Sequence, residues 1–560
     1  MRLKVSQYKE NGATFTPTDL ANYLAEEILK VYSVSAEEEI SILDPACGDG
    51  ELLLSIGDAL RKDRSKDFQL IGYDLNEKYV NQATKRLNES PLENYHITEA
   101  DFLLEPHLDH VDIVIANPPY VRTQILGESK AQALAKKYNL KGRVDLYYPF
   151  LIEMTNSLKE GGIIGVITSN RYLFTKSGGS IRKFLSQNYE IIKVIDLGDT
   201  KLFENAAVLP AIFIGKKRTL NKSKINRSSF LKVYEQHSTQ NGHTQHLGSV
   251  YEILNSDQSG TFKVNDKYFK QTHGTLITQD NDNNWQMLTE AEQAWVDGID
   301  QASRFRIKDL AKVRVGVKTT ADNVFISDKW SDLNEDEKPE GKLLLPLISQ
   351  NNVKKWQHPF SSDHKILYTH ELRNGKKVVI NLSEYPKAAN YLDSHREQLS
   401  SRNYVIKAKR QWFEIWVPQR PRLWPKAKLV FPDISEEPRF YLDMDGAVVN
   451  GNCYWISVED TGSIDLLLLI QGISNSSVIA KYHDLRFNNR LYAGRRRYFT
   501  QYVENYPLPD PNSLESMEII ALTKQLNQLS KKGKPISHLE MQLNELVIRS
   551  VGLKAAHHLD

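Results

Sequence analysis

The feature that most constrains the fold is the segment from Val111 to Tyr120, with the sequence VDIVIANPPY. Its apolar run, residues 111–116, has the length and composition of a buried strand. The strand must end at Asn117, because neither Pro118 nor Pro119 can donate a ladder hydrogen bond. Each proline also favours extended geometry in the residue before it. The pattern therefore predicts a stiff backbone at the carboxyl end of a strand, where open α/β sheets bind ligands.

This strand end presents two hydrogen-bond acceptors and an aromatic ring. The acceptors are the Asn117 side chain and the Pro118 carbonyl, and the ring is that of Tyr120. Together they suit a planar molecule that carries an amino group. The same four residues can also form a simple turn, so this segment alone leaves both interpretations open.

Three earlier strands are predicted to end at the same edge of the sheet. The first precedes a loop of small residues that holds Asp44 and Gly48, the second ends at Asp74, and the third ends with Asp101 and Phe102. Strand, loop and helix alternate between them, which is typical of βαβ units and a parallel sheet. The loop after Asp44 lacks the spacing of a phosphate or dinucleotide loop and suits a ligand with an amino group. Asp74 is placed to hold ribose hydroxyls, and the Asp101–Phe102 pair suits an adenine.

A helix is predicted near the N-terminus. Thr16 is the predicted N-cap, Pro17 the first helical residue and Asp19 the third. The exposed start of such a helix favours a carboxylate. A capped surface helix without a ligand explains the same pattern.

The alternation continues as far as about residue 216. The prediction for this part is a helix from Asp145 to Leu158 capped by the pair Gly161–Gly162, a helix around residues 181–185, and strands at residues 163–167, 191–197 and 209–214. Phe203 lies in the loop between the last two strands. It is either a core residue or an exposed ring at the edge that holds the other candidates.

The composition changes after residue 218. Residues 219–304 are predicted to be a linker or peripheral segment, because their first part is rich in Asn, Ser, Gln, Thr and His. Residues 305–512 are predicted to form a second, mixed α/β domain. Residues 513–560 are predicted to be amphipathic packing or dimerisation helices.

Positive charge is concentrated in the C-terminal half. The net charge of the 560-residue chain is only +2, but residues 301–510 hold 32 Lys and Arg against 25 Asp and Glu. Six of the eight tryptophans also lie beyond residue 305, near basic clusters at residues 407–410, 420–422 and 495–497. Basic side chains between aromatic ones can follow a phosphate backbone and touch bases. A solvated charged face explains any one of these clusters equally well.

Composition also excludes several classes of protein. No apolar run is long enough for a membrane span, and the polar N-terminus has no signal-peptide core. Two cysteines, Cys47 and Cys453, give neither a disulfide framework nor metal-ligand spacing, so no metal site is predicted. We therefore expect a cytoplasmic protein without a membrane partner.

Taken together, the motifs resemble the gamma class of S-adenosylmethionine-dependent DNA N6-adenine methyltransferases. The resemblance rests on TFTP at residues 14–17, DPACG at residues 44–48 and NPPY at residues 117–120, in that order. It covers residues 11–216 most closely. A looser similarity links residues 305–512 to the TaqI-type specificity domain of type II restriction–modification methylases. The implied fold is a Rossmann-like, seven-stranded α/β methyltransferase domain at residues 1–218, followed by a mixed α/β DNA-recognition domain and terminal helices.

The resemblance also implies roles for individual residues. The implied cofactor is S-adenosylmethionine, and its site would contain Thr14, Thr16, Pro17, Asp44, Ala46, Gly48, Asp74, Leu75, Asp101, Phe102 and Asn117. The implied catalytic residues, around an adenine flipped out of duplex DNA, are Asn117, Pro118, Pro119, Tyr120 and Phe203. Double-stranded DNA is the expected partner, together with a separate cognate restriction endonuclease, in a bacterial cytoplasm.

Three other functions fit parts of the same pattern. Protein-glutamine and RNA-guanine methyltransferases use the same tetrapeptide and cofactor loop, but they usually lack a long C-terminal region. A bifunctional restriction–modification subunit would need a nuclease motif, and none is recognisable in the C-terminal half. A DNA-binding protein without catalytic activity would not need an intact NPPY segment.

Overall fold

The computed structural model divides the chain into two compact units, Met1–Glu290 and Ala291–Asp560. The structure describes residues 15–32, 39–62, 67–104, 110–120, 128–138, 140, 145–200, 202–203, 209–219, 228–236, 244–278, 285–357, 364–487 and 494–553.

The first unit is built on one mixed sheet, in which the described residues form twelve strands. Its order is β3-β2-β1-β4-β5-β7-β6-β8-β11-β10-β9, and β12 pairs with β11. The strands are β1 (Ile40–Asp44), β2 (Phe68–Asp74), β3 (Tyr95–Glu99), β4 (Val111–Ala116), β5 (Leu158–Ser169), β6 (Tyr189–Asp196), β7 (Pro210–Lys217), β8 (Ser229–Gln236), β9 (Thr244–Leu247), β10 (Gly260–Val264), β11 (Lys267–Ile277) and β12 (Gln286–Leu288).

The helices of this unit pack on both faces of the sheet. They are α1 (Thr18–Val31), α2 (Glu51–Lys62), α3 (Glu77–Asn88), α4 (Glu128–Lys137), α5 (Tyr147–Ser157), α6 (Arg171–Phe174), α7 (Gly179–Asn188) and α8 (Val250–Leu254), with a 3-10 turn at Lys176–Gly178.

Two hydrophobic clusters lie on opposite sides of the sheet. Successive side chains of a strand point to opposite faces, so Ile113 joins the cluster that contains α1 and α2, whereas Val114 joins the cluster that contains α5 and α7. Ile42 and Leu43 of β1 are divided in the same way. This double burial explains why β1 and β4 are nearly continuous apolar runs in the sequence.

The sheet has a topological switch point between β1 and β4. β1, β2 and β3 are parallel, and the chain then crosses from β3 to β4 on the other side of β1. Neighbouring parallel strands that lead their loops in opposite directions leave a crevice at their carboxyl ends. Asp44, Asp74 and Ala116 are the last residues of the three strands that meet there.

The predicted α/β class is confirmed, but the sheet does not end near residue 218. Residues 219–304, predicted as a linker or peripheral segment, contribute β8 to β12. β8 pairs in parallel with β6, and β11 then pairs with β8 through eight consecutive residue pairs. The five strands extend the predicted seven-stranded arrangement, and the first compact unit ends at Glu290.

The predicted cap at Gly161–Gly162 is wrong. Helix α5 ends at Ser157, and both glycines lie inside β5. The register between β4 and β5 shifts at this point, and Gly161 has a φ of +77°. A side chain on Gly162 would also lie 2.9 Å from the Asp112 carbonyl oxygen. The glycines therefore serve a strand irregularity, which in sequence resembles a helix end.

The second unit combines small sheets with a helical end, and both contain short elements. Its strands are β13 (Phe305–Arg306), β14 (Arg314–Val315), β15 (Ile326–Ser327), β16 (Leu344–Ile348), β17 (Lys365–Leu367), β18 (His370–Arg373), β19 (Lys376–Val379), β20 (Lys428–Pro432), β21 (Ile434–Ser435), β22 (Tyr441–Asp443), β23 (Val448–Val449), β24 (Cys453–Ser457), β25 (Arg496–Arg497) and β26 (Pro507–Leu508). The two largest sheets have the orders β14-β24-β20-β22 and β15-β17-β16-β23.

Twelve helices belong to or enter this unit within its described residues. They are α9 (Glu290–Ala302), α10 (Ile307–Leu310), α11 (Asp322–Phe325), α12 (Pro386–Ser394), α13 (Arg396–Ser400), α14 (Asn403–Lys407), α15 (Val458–Thr461), α16 (Ile464–Ser474), α17 (Ser477–Phe487), α18 (Thr500–Val503), α19 (Leu514–Lys531) and α20 (Ser537–Ser550). Single 3-10 turns occur at Trp330–Asp332, Gly341–Leu343, Leu382–Glu384 and Pro421–Leu423. The predicted terminal helices, α19 and α20, pack on each other and α19 packs on the buried α16.

None of the helices that the structure describes is by itself both long and apolar enough to cross a membrane. Only the pair α16 and α17, bent by 70° at the break between them, reaches the required length and composition together.

Candidate active site

A cavity of about 470 Å³ lies at the carboxyl ends of β1, β2, β3 and β4, next to the switch point. This volume is in the usual range for small-molecule sites. The lining residues are Phe15, Pro45, Ala46, Gly48, Asp74, Leu75, Asn76, Glu77, Tyr79, Ala100, Asp101, Phe102, Asn117, Pro118, Pro119, Tyr120 and Phe150.

Asp74 joins two of the loops that form this cavity. Its Oδ2 accepts a hydrogen bond from the Gly48 N–H at 3.0 Å, and its Oδ1 accepts one from the Asn76 N–H at 2.9 Å. Gly48 has a φ of +54°, a conformation that glycine adopts without steric cost. The carboxylate at the end of β2 thus fixes the backbone of the loop after β1, and the cavity wall forms from both.

Asp44, at the end of β1, is completely buried. Its Oδ1 accepts the Ala46 N–H at 3.1 Å, whereas no described residue pairs with the buried Oδ2. Burial, with a smaller effect of the neighbouring carboxylates Asp74 and Asp49, raises the pKa of Asp44 to about 8. A positive charge bound nearby would favour its ionised form.

Aromatic rings form the walls on two sides. Phe102, which follows β3, stacks on Phe150 of α5 with ring centroids 6.0 Å apart. Phe15 and Tyr79 meet edge to face at 5.2 Å on another side. Such rings provide flat faces for a heterocycle and an attractive surface for a cation.

Asn117 is held by hydrogen bonds at both ends of its amide. Its Nδ2 donates to Thr16 Oγ1 at 3.0 Å, and the Tyr120 hydroxyl donates to its Oδ1. Burial raises the pKa of Tyr120, so its hydroxyl keeps the proton that it donates. A side-chain amide oxygen such as Asn117 Oδ1 is a hydrogen-bond acceptor. The segment therefore presents an oriented acceptor next to an aromatic ring at the cavity.

The charges around the cavity are negative. Asp74, Glu77 and Asp101 line it, and no Lys or Arg is found among its lining residues in the described part of the chain. A cofactor with several phosphates would lack positive partners here. A cationic ligand with hydroxyl groups and an aromatic base matches the carboxylates and the rings.

Comparison with known proteins shows the family. The family model described as N-6 DNA Methylase matches residues 3–287, which is half of the chain. The chain belongs to this family. It is 44% identical to the Type II methyltransferase M.BanIII of Aneurinibacillus aneurinilyticus over 98% of both chains. It is 26% identical to the Type II methyltransferase M.BstVI of Geobacillus stearothermophilus over 90% of this chain and 91% of that protein.

A solved structure shares the fold over most of the chain. The cryo-EM structure of a DrdV–DNA complex matches with a TM-score of 0.51 and 11% identity, covering 93% of this chain and 58% of that one. The predicted site-specific DNA N6-adenine methyltransferase of the restriction–modification type is confirmed by the family and by these relatives. Membership of the gamma class and the TaqI-type specificity domain stay predictions.

The structure of the methylase brings most of the predicted site residues together. The predicted residues that line the cavity are Ala46, Gly48, Asp74, Leu75, Asp101, Phe102, Asn117, Pro118, Pro119 and Tyr120. Asp44, Thr16 and Pro17 do not line it, although Asp44 directly precedes lining residues and Thr16 holds Asn117. Thr14 lies outside the described residues.

Thr16 is not the N-cap that the sequence predicts. Helix α1 begins at Thr18, Pro17 occupies the cap position, and no side chain caps the helix. The Pro17 carbonyl accepts a hydrogen bond from the Ala21 N–H at 3.0 Å, and this is the first i→i−4 hydrogen bond of the helix. The Thr16 hydroxyl accepts from Asn117 instead, a contact between residues 101 positions apart that local sequence cannot reveal.

Phe203 lies in the core and not at the cavity. Its side chain is 6% exposed, and it belongs to the cluster that contains Ile195 and Leu197. No ring face is available to a base in this arrangement. Its predicted stacking role in the methylase stays a prediction that requires the ring to leave the core.

Sequence reasoning missed several lining residues. Asn76 caps α3 by accepting the Lys78 N–H at 3.1 Å, and an Asn before a helix is a recognisable signal. Phe15 stands inside the TFTP segment that was already singled out. Phe150 and Tyr79 reach the site from the sides of helices, and only the packing of α5 and α3 shows that they do.

Proposed function

We propose that this methylase transfers a methyl group from S-adenosylmethionine to N6 of an adenine that is flipped out of a specific sequence in duplex DNA. The observation that carries the proposal is the oriented Asn117 amide beside the Tyr120 ring at the edge of a negatively charged, aromatic cavity. The N6 atom is unreachable inside a base-paired stack, so extrusion of the base must precede chemistry.

The cavity residues match the parts of this cofactor. Asp74 would bind the ribose hydroxyls, and Asp101 with Phe102 would contact the adenine ring and its amino group. The carboxylates Asp44 and Glu77 would favour its positive charges. S-adenosylmethionine, when bound, supplies an electrophilic methyl group on a sulfonium. The rings of Phe15 and Tyr79 would cover it, because aromatic faces attract cations.

Asn117 and Pro118 would prepare the target amino group. The Asn117 Oδ1 and the Pro118 carbonyl would each accept one N6 hydrogen, which draws the nitrogen lone pair out of conjugation with the ring. Tyr120 would stack on one face of the base, and Phe203 is the predicted partner for the other face. Rate enhancement would then come from positioning and from oriented hydrogen-bond acceptors.

A division of labour follows for the two parts of the chain. We assign cofactor binding and methyl transfer to the region that includes residues 1–218 and the choice of DNA sequence to residues 305–512. The methylase would act in a bacterial cytoplasm, where it protects host DNA from a separate cognate restriction endonuclease.

The test uses the full-length protein, labelled cofactor and a mixture of genomic DNAs. After the reaction, the DNA is digested to nucleosides and separated. We expect the label in N6-methyl-2′-deoxyadenosine, and sequencing should place it in one short recognition sequence. Label only in N4-methyl-2′-deoxycytidine, or no label in the DNA at all, would overturn the proposal.

A further inference from the structure

A second cavity lies entirely within the unit Ala291–Asp560. It has a volume of about 630 Å³, and its lining differs from that of the first because it is dominated by amide, hydroxyl and charged side chains. We call it the polar cleft; its exposed or half-exposed side chains include Lys318, Thr320, Asn323, Gln398, Asp433 and Asn452. Such a mixture offers both donors and acceptors to a polar ligand.

Asp433 is fixed in this cleft by its own backbone. It follows β20, its N–H donates to the Asn452 carbonyl at 3.0 Å, and its carbonyl accepts the Tyr498 N–H at 2.8 Å. The carboxylate nevertheless keeps unused acceptor capacity, since no described residue pairs with its buried Oδ1. A buried acceptor without a partner is unfavourable unless a ligand donates to it.

The walls of the polar cleft are rigid. The backbone around Gly316 and Val317 crosses so close to Asn450 that a Cβ on Gly316 would lie 2.0 Å from the Asn450 carbonyl oxygen. The buried Arg402 donates to the carbonyl oxygens of Leu399, Thr319 and Trp412, which ties the end of helix α13 to two loops. A recognition site must be preorganised in this way to discriminate between similar ligands.

Thr320 adds a strained residue to the same wall. Its φ is +61°, in the left-handed region that a β-branched residue rarely adopts. The strain persists because Thr319 is buried and hydrogen-bonded to the Ala321 N–H and to Asp322. Strained backbone of this kind clusters at ligand-binding sites.

We propose that the polar cleft reads the recognition sequence of the DNA, and that Asp433 accepts a hydrogen bond from the exocyclic amino group of one base there. The inference rests on the proposed function, because it assigns the sequence choice of that methylase to named residues. In the major groove, aspartate accepts from the amino group of cytosine or adenine, whereas guanine and thymine present only acceptors there. Lys318 beside it is exposed and can donate to base or phosphate.

The charges near Asp433 agree with this assignment. Burial raises the pKa of Asp433, and the positive side chains Arg497 and Lys318 act in the opposite direction. A lone carboxylate would repel the phosphate backbone. Two cations beside it compensate for that repulsion and leave the carboxylate available to a base.

The experiment compares full-length wild type with Asp433→Asn on a duplex library whose central segment is randomised. The asparagine keeps the shape but presents an amide in place of the carboxylate. We expect discrimination at one base pair to fall by about tenfold or more, as for a specific base contact, while the other positions stay unchanged. Bases that present a carbonyl should become tolerated at that position. Asp433→Ala should relax the same position without the new preference.

Glu436→Gln is the matched control. It removes one carboxylate on the far side of the short strand β21, but Glu436 is exposed and does not line the cleft. It should leave the methylated sequence unchanged. A uniform loss of activity in Asp433→Asn at all sequences, or an unchanged sequence preference in both Asp433 variants, would overturn the inference.

Duplexes with base analogues test direct contact in the wild type. Purine replaces adenine and 2-pyrimidinone replaces cytosine, one position at a time, so that only the amino group is lost. One position should be sensitive in wild type and insensitive in Asp433→Ala. If every position is equally sensitive in both proteins, the contact does not exist. Absence of N6-methyladenine with wild type would instead overturn the proposed function, so the two failures are distinguishable.

Discussion

The cavity at the carboxyl ends of β1 to β4, which we call the catalytic cavity after its proposed function, and the polar cleft are similar in size but are built in different ways. The catalytic cavity lies where four parallel strands of five to seven residues end, and its carboxylates bind backbone N–H groups of neighbouring loops. The polar cleft is formed mainly by loops, and the strands near it, such as β14, β21 and β23, have only two residues each.

This difference suggests which part of the molecule can vary. Side chains at the ends of buried parallel strands are fixed by the sheet, so their chemistry cannot change without disturbing the core. Loops on a rigid scaffold tolerate exchange of their side chains. Substitutions in the first unit should therefore alter the rate of methyl transfer equally at every DNA sequence. Substitutions in the polar cleft should instead change which DNA sequence is methylated.

The largest effect is expected for Asn117→Ala. The variant loses the acceptor for the target amino group, and kcat should fall by about 100- to 1,000-fold, as for loss of one oriented group that stabilises a transition state. The ranking of DNA sequences should not change. Single-turnover methylation of a defined duplex measures the rate. Asn94→Ala, on an exposed loop, is the control and should behave as wild type. A changed preference for DNA sequence in Asn117→Ala would contradict the division of functions between the catalytic cavity and the polar cleft.

Asp74→Ala should weaken cofactor binding. The variant loses two charge-assisted backbone contacts and the proposed ribose contact, and such bonds contribute about 1.5–3 kcal/mol, so Kd should rise about 10- to 150-fold. Titration calorimetry with S-adenosylmethionine measures this constant. Asp58→Ala removes an exposed carboxylate from α2 and should leave it unchanged. An unaltered Kd in Asp74→Ala would mean that the cofactor lies elsewhere.

Tyr120→Ala should lower kcat/KM by about 5- to 150-fold, because stacking contributes about 1–3 kcal/mol per base. Tyr120→Phe keeps the ring and should keep the stacking, but it loses the hydroxyl that donates to Asn117 Oδ1, so its emission should resemble wild type even where its rate is lower. A 2-aminopurine at the target position reports stacking by its emission, which should brighten in Tyr120→Ala.

Phe203→Leu conserves apolar volume in the core. If Phe203 stacks on the base, this variant changes the emission as well; unchanged emission and rate would remove Phe203 from the catalytic set.

The smallest effect concerns pH and Asp44. Its pKa of about 8 means that the empty protein carries a proton there below pH 8. A bound cation favours the ionised form, so affinity for the cofactor should rise with pH, by up to about fivefold between pH 7 and pH 8. Asp44→Asn should lose the pH dependence of cofactor affinity that comes from Asp44. Any dependence that remains in this variant comes from titration of other groups, including the cofactor itself. Identical pH profiles for the two proteins would exclude the linkage.

Stability of the empty protein should depend on Asp44 with the opposite sign. A folded-state pKa above the usual value of 3.8 lowers stability as pH rises from about 4 to about 8. Asp44→Asn should therefore raise the unfolding midpoint at pH 8 when no cofactor is present.

The strand ends of the catalytic cavity could be predicted from sequence because each is marked locally. Asp44, Asp74 and Asn117 all follow apolar runs, and a proline comes directly after Asp44 and after Asn117. Because the strands pair in parallel, their carboxyl ends meet at one edge of the sheet, whatever the lengths of the connecting segments. The polar cleft has no comparable signal. Asp433 and Asn452 are brought together by the antiparallel pairing of β20 and β24, and nothing in the local sequence shows that these two strands pair.

The extra strands show where composition was misleading. Residues 219–248 are rich in polar side chains, which favoured a linker, although Phe230, Leu231 and Val233 of β8 are buried. Averaging over this segment hides a single strand of eight residues, in which the neighbours Phe230 and Leu231 are buried on opposite faces of the sheet. Thr16 illustrates a different limit, because its local pattern was sound and a distant partner, Asn117, took its hydroxyl.

The two hydrogen bonds of Asn117 also fix which end of its side-chain amide lies on which side. An amide viewed from the target base shows either an oxygen or an NH₂ group, and rotation by 180° exchanges the two at almost no change in shape. Thr16 and the Tyr120 hydroxyl together set this orientation, since one receives the NH₂ group and the other donates to the oxygen. If the amide turned over, an NH₂ group would face the amino group of adenine, and attraction would become repulsion. In the proposed contact with adenine, Thr16 of the N-terminal segment would therefore keep the acceptor of Asn117 facing the base, although the two residues are 101 positions apart in the chain.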